Sequence, residues 1–426
     1  MRHRNAPVIV VFLSLLIFAT SACAATQRIE PNEPPLAPPA PPPLEPPALI
    51  EIGVGVNRAE AIITTALIAR ADDDRFFHIM GSRIAVHAES GGIALRGLPG
   101  DTHAPVARRW FIHSLPRPDG SPGLPLTLDG RRYRGSLRIE LAPTAMAETP
   151  LLTVINVVGL EDYIRGVVPR EIGFIRPENL EAMKAQAVAA RTYAIRNLNR
   201  RRALGFDLMA TSDDQVYGGR DAETALTDRA VQETEGEVLL YEGALVDAFY
   251  HSTCGGATSA IAEVWSGDRP YLRGVSDNLG ETFACAASRY FAWSETWSGE
   301  TYARFAAPAD SVMIEILDRD TAGRARLLRI VRGESEVIAR GDAIRRTLIR
   351  PAGGPLRSTL ITAITAESGT LRLEGRGWGH GLGMCQMGAI GRARAGWRHD
   401  AILEHYYPGT RVTRIGGAVS SMMNPE

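Results

Sequence analysis

Between Val167 and Ile195 the chain reads VVPREIGFIRPENLEAMKAQAVAARTYAI, and this stretch constrains the fold more than any other. From Glu178 onward, apolar residues fall at Leu180, Met183, Ala187, Ala190, Ala194 and Leu198. Steps of three and four predict an α-helix with one buried stripe. Pro177 suits the helix start, where a missing N–H costs nothing, and Glu178 and Glu181 follow where the dipole favours anions. The alanines let another backbone approach closely. Just before this helix, Glu171 sits among Val167, Val168, Ile172, Phe174 and Ile175. Burying the stripe does not require it. A carboxyl in such surroundings is expected to keep its proton to higher pH than usual and to serve as an acid near neutrality. A capping or salt-bridged glutamate is the plainer alternative.

The first 25 residues read as an export signal: Arg2 and Arg4, then an apolar run from Val8 to Phe18 that is short for a membrane span. Two cleavage readings stand. Ala22-Cys23-Ala24 fits small-residue cleavage, and Thr20-Ser21-Ala22-Cys23 resembles a lipobox with Cys23 as lipid acceptor. Both place the protein outside the cytoplasm, the second as a lipoprotein of the cell envelope. Residues 26–49 contain PNEPPLAPPAPPPLEPP, which predicts an extended polyproline II tether. At roughly 3.1 Å per residue it would reach about 50 Å from an anchor.

The remaining chain predicts an α+β fold. Residues 50–150 form a β-rich part, with short apolar runs such as Ile84 to Ala88 separated by turn clusters such as Gly91-Gly92. GRRYRGSLRIELAP reads as a hairpin, its Arg131, Tyr133 and Arg134 suiting a solvated face or a ligand groove. Residues 151–298 hold the central helix, its basic end Arg196 to Arg202, and a hairpin with Glu242-Gly243 at its turn. A small α+β insertion is expected over 299–370, a return to the core over 371–415 with a helix from Ala401 to Tyr407, and a loose tail over 416–426. Gly375, Gly377, Gly379, Gly381 and Gly383 alternate with large residues, which in an extended strand leaves one bare face. No Gly-Lys-Ser/Thr follows, so this is not a phosphate loop. With 47 basic and 48 acidic side chains, the charge gives no case for nucleic acid or an anionic membrane surface as partner. A lipid on Cys23 would be the one membrane attachment.

The cysteines are Cys23, Cys254, Cys285 and Cys385. In an oxidising compartment the simplest arrangement is one disulfide, Cys254 with Cys285, and one free thiol. A zinc site of these cysteines with His251 or His380 is chemically reasonable, but no close-spaced ligand pair marks it. No metal and no cofactor is therefore expected.

Four stretches together carry a family resemblance: VVPREIG with EAMKAQAVAARTYAI, DDQVYGG at Asp213 to Gly219, FYHSTCGGATSAIAEVWSGDRPYLRGV at Phe249 to Val275, and GRGWGHGLGMCQMGAIG followed by EHYYPGT over Gly375 to Thr410. Their order resembles the stage II sporulation protein D family, which includes amidase enhancers, across roughly residues 130 to 412. The resemblance implies a peptidoglycan lytic transglycosylase acting on glycan strands stripped of stem peptides, with Glu171 as the catalytic residue. It further implies that Arg191, Gln215, Tyr217, His251, Ser252, Thr253, His380 and Gln386 bind substrate or polarise Glu171. A plainer reading makes each a satisfied buried hydrogen-bonder, and Arg191 a partner for an acid. Trp265 and Trp378 suit either the core or a sugar platform. Some members carry a His/Cys metal cluster after the catalytic helix, but Asn197 to Val216 contains neither residue type here. Two other activities stay open: a non-catalytic glycan binder that activates a cell-wall amidase, and a hydrolase pairing Glu171 with Asp213 or Asp214.

Overall fold

The structure is a computed structural model describing residues 47–64, 67–79, 83–98, 104–117, 123–143, 150–367 and 369–416. The export signal, Cys23, the proline-rich tether and residues 417–426 lie outside the described residues. Among the described residues, no helix is long and apolar enough to cross a membrane.

The fold is mixed α+β, and strands dominate the N-terminal part. A seven-stranded sheet runs in the order 208–209, 49–58, 152–159, 136–141, 109–114, 67–71, 76–79. A five-stranded sheet runs 92–96, 84–89, 60–63, 126–128, 131–133. Period-two alternation explains membership: in Ser136–Leu141, Leu137 and Ile139 are buried while Arg138 and Glu140 point outward. The expected hairpin over GRRYRGSLRIELAP is not one. Arg131–Tyr133 pairs with Leu126–Leu128, whereas Ser136–Leu141 pairs with Leu152–Gly159. Gly135, at φ 71°, turns the chain from one sheet into the other.

Leu152–Gly159 feeds directly into helix α1 (Leu160–Ile172), which therefore carries Glu171 in its last turn. The sequence alone does not mark this helix, because Gly166, Val167, Val168 and Pro169 all lower helix propensity. Packing overrides that preference. A Cβ on Gly166 would stand 2.3 Å from the Tyr217 ring, so glycine is what lets α1 seat against that tyrosine. Gly173 and Phe174, at φ 56° and 46°, end the helix.

A 3₁₀ turn over Pro177–Asn179 leads into α2 (Leu180–Arg196). The single buried stripe expected for this helix is an underestimate. Ala182, Met183 and every residue from Ala185 to Ala194 are buried. The reason is its central place, packed by α1, by helices 225–233, 386–394 and 399–406, and by strand 237–241. The small alanines allow so many neighbours to come close.

The hairpin around Glu242-Gly243 forms as expected, both turn residues having positive φ (49° and 81°). Its second strand is short, Ala244–Leu245, and Tyr250–His251 instead runs parallel to Met384–Cys385. The helix expected from Ala401 to Tyr407 spans His399–Tyr406. The inserted region has a hydrophobic core of its own, with Trp297, Leu328, Ile330, Leu356 and Leu373 wholly or almost wholly buried. The glycine run does not make a bare-faced strand. Strand Thr370–Arg376 stops early, and Gly377, Gly379, Gly381 and Gly383 have φ of 79°, 116°, 86° and 64°. These glycines serve an irregular loop that L-residues adopt only with strain.

Candidate active site

The loop and strand ends just described border a cleft of about 720 Å³. Glu171 lies in it with Val216, Tyr250, His251, Ser252, His380 and Gln386. Three sequence-distant motifs thus meet at one carboxyl. Part of the Glu171 side chain opens on the cleft, while protein encloses the rest. The Val216 N–H donates to its Oε1 at 2.6 Å. Burial pushes its pKa up to about 7, against the lowering effect of hydrogen bonds from Val216 N–H and the side chains of Gln386 and Tyr250. A carboxyl poised there is partly protonated at neutrality, so it can give a proton and take one back.

The groups behind Glu171 are held tightly. Gln215 is wholly buried: its Nε2 donates to the Tyr250 hydroxyl at 2.9 Å, and its Oε1 accepts from the Tyr163 hydroxyl at 3.2 Å. Gln215 therefore fixes Tyr250 rather than lining the cleft. Gln386 donates to Gln186 Oε1 of α2 at 3.2 Å. His380 has its tautomer set by the backbone: Nε2–H donates to the Tyr250 carbonyl at 3.0 Å, and Nδ1 accepts from Leu382 N–H at 3.0 Å. Burial lowers its pKa to about 4, so it stays neutral. His251 donates from Nδ1 to the Leu382 carbonyl at 3.0 Å, and its Nε2 has no partner among the described residues. Burial holds its pKa well below the usual histidine value, which leaves Nε2 a neutral acceptor. Gly379 makes this packing feasible, since a Cβ there would come 2.7 Å from His251 Cβ.

Besides Gln215, three residues expected to contact a ligand are occupied elsewhere. Arg191 is 0% exposed and grips the Glu161 carboxylate at 2.7 and 2.6 Å. It also donates to the Glu237 carbonyl, so it ties helices and strand together and does not line the cleft. Tyr217 is buried, its hydroxyl donating to Asn156 Oδ1 at 3.0 Å, which anchors the DDQVYGG loop on the large sheet. Thr253 is buried against the Ser288 hydroxyl at 2.8 Å. Sequence spacing could not reveal these partners, which lie between 30 and 61 positions away.

Trp265 and Trp378 both border the cleft. Trp265 packs edge-on against Phe249 at 4.9 Å and remains 37% exposed. Trp378 meets Tyr290 at 3.9 Å, with the Arg357 guanidinium 5.2 Å from its ring. Asp213 and Asp214 also reach the lining. Asp214 is neutralised by Arg200 at 3.3 Å and Arg201 at 2.9 Å.

The sequence reading missed two contributors. One is the Val216 amide with Tyr250, which carry no motif logic beyond their neighbours. The other is the inserted region, which contributes Asp342, Arg345, Arg346 and Pro355 to the cleft. Asp342 holds both arginines, at 3.0 and 3.1 Å.

The expected cysteine pair is close but not bonded: Cys254 Sγ and Cys285 Sγ are 3.5 Å apart, and Cys385 joins them with Asp277. Neither His251 nor His380 belongs to that group.

Beside the central buried helix, the cleft thus holds one carboxyl whose pKa burial raises to about 7. Comparison with known proteins identifies the family. The family described as "Stage II sporulation protein" matches residues 149–241, and a domain of unknown function (DUF8618) matches 295–383. An uncharacterized protein of Brachyspira hyodysenteriae is 31% identical over 291 residues, covering 67% of this chain and 73% of that protein. The amidase enhancer of Bacillus subtilis is 31% identical over 337 residues, covering 68% of this chain and 45% of that protein. The stage II sporulation protein D of the same organism is 28% identical over 285 residues, covering 62% and 78%. The chain belongs to the stage II sporulation protein D family.

Proposed function

We propose that this protein is a lytic transglycosylase that cuts the β-1,4 bond between N-acetylmuramic acid and N-acetylglucosamine in peptidoglycan glycan strands. The observation that carries the reading is Glu171, a cleft carboxyl with its pKa raised to about 7 by burial and its anion still solvated by the Val216 amide. In the protonated form it gives its proton to the glycosidic oxygen as the C1–O4 bond breaks. The resulting carboxylate takes the proton of the muramic acid 6-hydroxyl as O6 bonds to C1. The product is a 1,6-anhydro sugar, no water is consumed, and Glu171 ends as it began.

The surroundings suit this cycle. Gln386 and Tyr250 steady the carboxylate between its two roles. Trp265 borders the cleft and keeps part of its ring exposed, where a pyranose can pack. A hydrolase would need a second free carboxylate. Asp214 is held by two arginines, which argues against that role for it; Asp213 lines the cleft exposed, with the Thr211 hydroxyl on its carboxylate, so the hydrolase is kept as an outcome of the product assay.

The sequence leader supports placement in the envelope, facing the wall, with the tether extending the domain from a lipid on Cys23. The amidase enhancer relative supports a second reading, in which the cleft binds glycan and raises the rate of a cell-wall amidase without cutting. Mass spectrometry of products from purified denuded glycan strands separates these. Anhydro ends support the transglycosylase, reducing ends would mean a hydrolase, and uncut strands with a stimulated amidase would mean the activator.

A further inference from the structure

Behind the wall that carries His251, Ser252 and Gln386, three cysteines and one aspartate converge. The Sγ atoms of Cys254, Cys285 and Cys385 and a carboxylate oxygen of Asp277 lie within 4.8 Å of one another. All four residues are 0% exposed. Their spacing in the chain is wide, so no close ligand pair announces them.

Three features say that these sulfurs are placed to be thiolates around an ion. The first is geometry. Two thiolates on one tetrahedral zinc, each about 2.3 Å from it, stand about 3.8 Å apart, whereas a disulfide closes to about 2.05 Å. Cys254 and Cys285 are at 3.5 Å. The second is the donor set. Backbone N–H groups of Cys254 and Gly388 point at Cys385 Sγ (3.1 and 3.3 Å), and that of Gly256 points at Cys254 Sγ (3.5 Å). Asp277 is oriented in turn by the Cys285 N–H at 3.0 Å, the Tyr406 hydroxyl at 2.5 Å and Arg392 at 3.4 Å, the outer-shell pattern of a metal-binding carboxylate.

The third feature is charge. Arg324 and Arg392 are each only 1% exposed. Arg324 donates to the Cys254 carbonyl, and Cys254, Asp320 and Cys385 lie within electrostatic reach of its guanidinium. Its Nε and Nη1 have no hydrogen-bond partner among the described residues. Asp320 accepts from the Arg324 backbone N–H rather than from its side chain. Buried cations are costly unless matched by negative charge nearby. Neutral thiols would supply none. A divalent ion with three thiolates and one carboxylate leaves a net charge of minus two, which stands against the two buried guanidiniums, that of Arg324 being shared with Asp320.

We propose that Cys254, Cys285, Cys385 and Asp277 bind one Zn²⁺ in a closed, four-ligand structural site, the three thiol protons leaving to solvent on binding. The ion joins the segment after Tyr250–His251, the loop at Cys285, and the strand end that starts the Gln386 helix. It fastens the rear of the cleft and has no open position for substrate.

The test uses the purified full chain under reducing conditions. Elemental analysis should give one zinc per chain, and alkylation of the three cysteines should be blocked until chelator is added. Zinc alone, titrated into the chelated wild-type protein, should bind one equivalent and raise the melting temperature. Replacing zinc by Co²⁺ should give thiolate-to-cobalt charge-transfer bands. Asp277→Asn removes a direct ligand and should weaken zinc affinity by more than the ~10–100-fold that losing an outer-shell partner costs, and Cys385→Ser by more still. The wild-type titration decides even where a variant fails to fold. If the reduced wild-type chain binds no zinc, or if the exported protein carries a Cys254–Cys285 disulfide, the proposal is wrong. Neither result bears on cleavage at Glu171, which the product assay reads separately.

Discussion

Replacing Glu171 by glutamine should slow the protein and stabilise it, and the stabilisation should appear only at higher pH. An ordinary glutamate titrates at 4.5, and burial in the cleft moves this one to about 7. At about 1.4 kcal/mol per decade, ionising it in the folded state costs about 3 kcal/mol more than in the unfolded chain. The native state therefore holds a proton that the unfolded chain releases between those two values. The stability contribution is fully present below pH 4.5 and is lost as pH rises through 7. Glutamine has the same shape and still accepts from the Val216 amide, but it never ionises. Denaturant midpoints of wild type and Glu171→Gln should then coincide near pH 4.5 and diverge to about 3 kcal/mol in favour of glutamine by pH 8. Over the same range wild-type kcat/KM should fall about tenfold per pH unit above 7, because only the acid form starts the reaction. The variant should lose roughly 10²–10⁴-fold in turnover at pH 6 while glycan binding persists. A stability difference that is the same at every pH would refute the burial argument. Undiminished cleavage by the variant would refute the acid–base role.

Arg191→Met should cost about 3 kcal/mol, because it leaves Glu161 facing a buried site without its cation; thermal melts check this, and KM of the folded fraction should not move. Gly383→Ala should destabilise by about 2 kcal/mol or more, since its Cβ would stand 2.0 Å from the Phe249 carbonyl oxygen at a φ of 64°; an unchanged melting temperature would contradict the close packing. Arg346→Ala removes a 68%-exposed guanidinium at the cleft. It should raise KM for glycan strands by about fivefold with the melting temperature unchanged, the scale of one exposed charge contact.

Much of this arrangement was legible in the residue order, and the gaps have physical causes. The α2 segment could be read because its apolar spacing is helical, and the sheets because Leu137 and Ile139 alternate with charged neighbours. The α1 helix was hidden, since Gly166 and Pro169 disfavour helix and only the Tyr217 ring explains the glycine. The glycine run was misread for a related reason. Alternation looks the same whether glycine supplies a missing side chain or a positive φ, and here four of the five supply the latter. Arg191 resembled a ligand-binding cation, because nothing in its surroundings along the chain names Glu161 as partner. The contribution of Asp342, Arg345 and Arg346 was invisible, as an irregular helix–loop carries no periodic signal. Of the cysteine cluster only the nearness of Cys254 and Cys285 was legible, because Asp277 and Cys385 join them from a separate loop and a strand end far along the chain.

The Glu171 environment depends on chain segments far outside the stretch that holds it. Residues 149–241, which the family match spans, include Glu171 and the Val216 amide. They do not include Tyr250, His251, His380 or Gln386, which complete the cleft wall. The link between the two sets is α2. Gln186 on that helix receives the Gln386 amide from a position 200 residues later, and the Ala190 carbonyl receives the Gln215 amide that also fixes Tyr250. Asn179 and Glu181, at the start of α2, receive Arg394 and His399 in the same way. Burial is the largest influence on the Glu171 carboxyl, and Tyr250, His251, His380 and Gln386 of these late segments stand around it in the cleft. Without them the carboxyl would face water and return toward an ordinary glutamate value. The proton poise of the site is thus a property of the closed fold, and the C-terminal motifs act on chemistry by enclosing a group they follow by about two hundred residues.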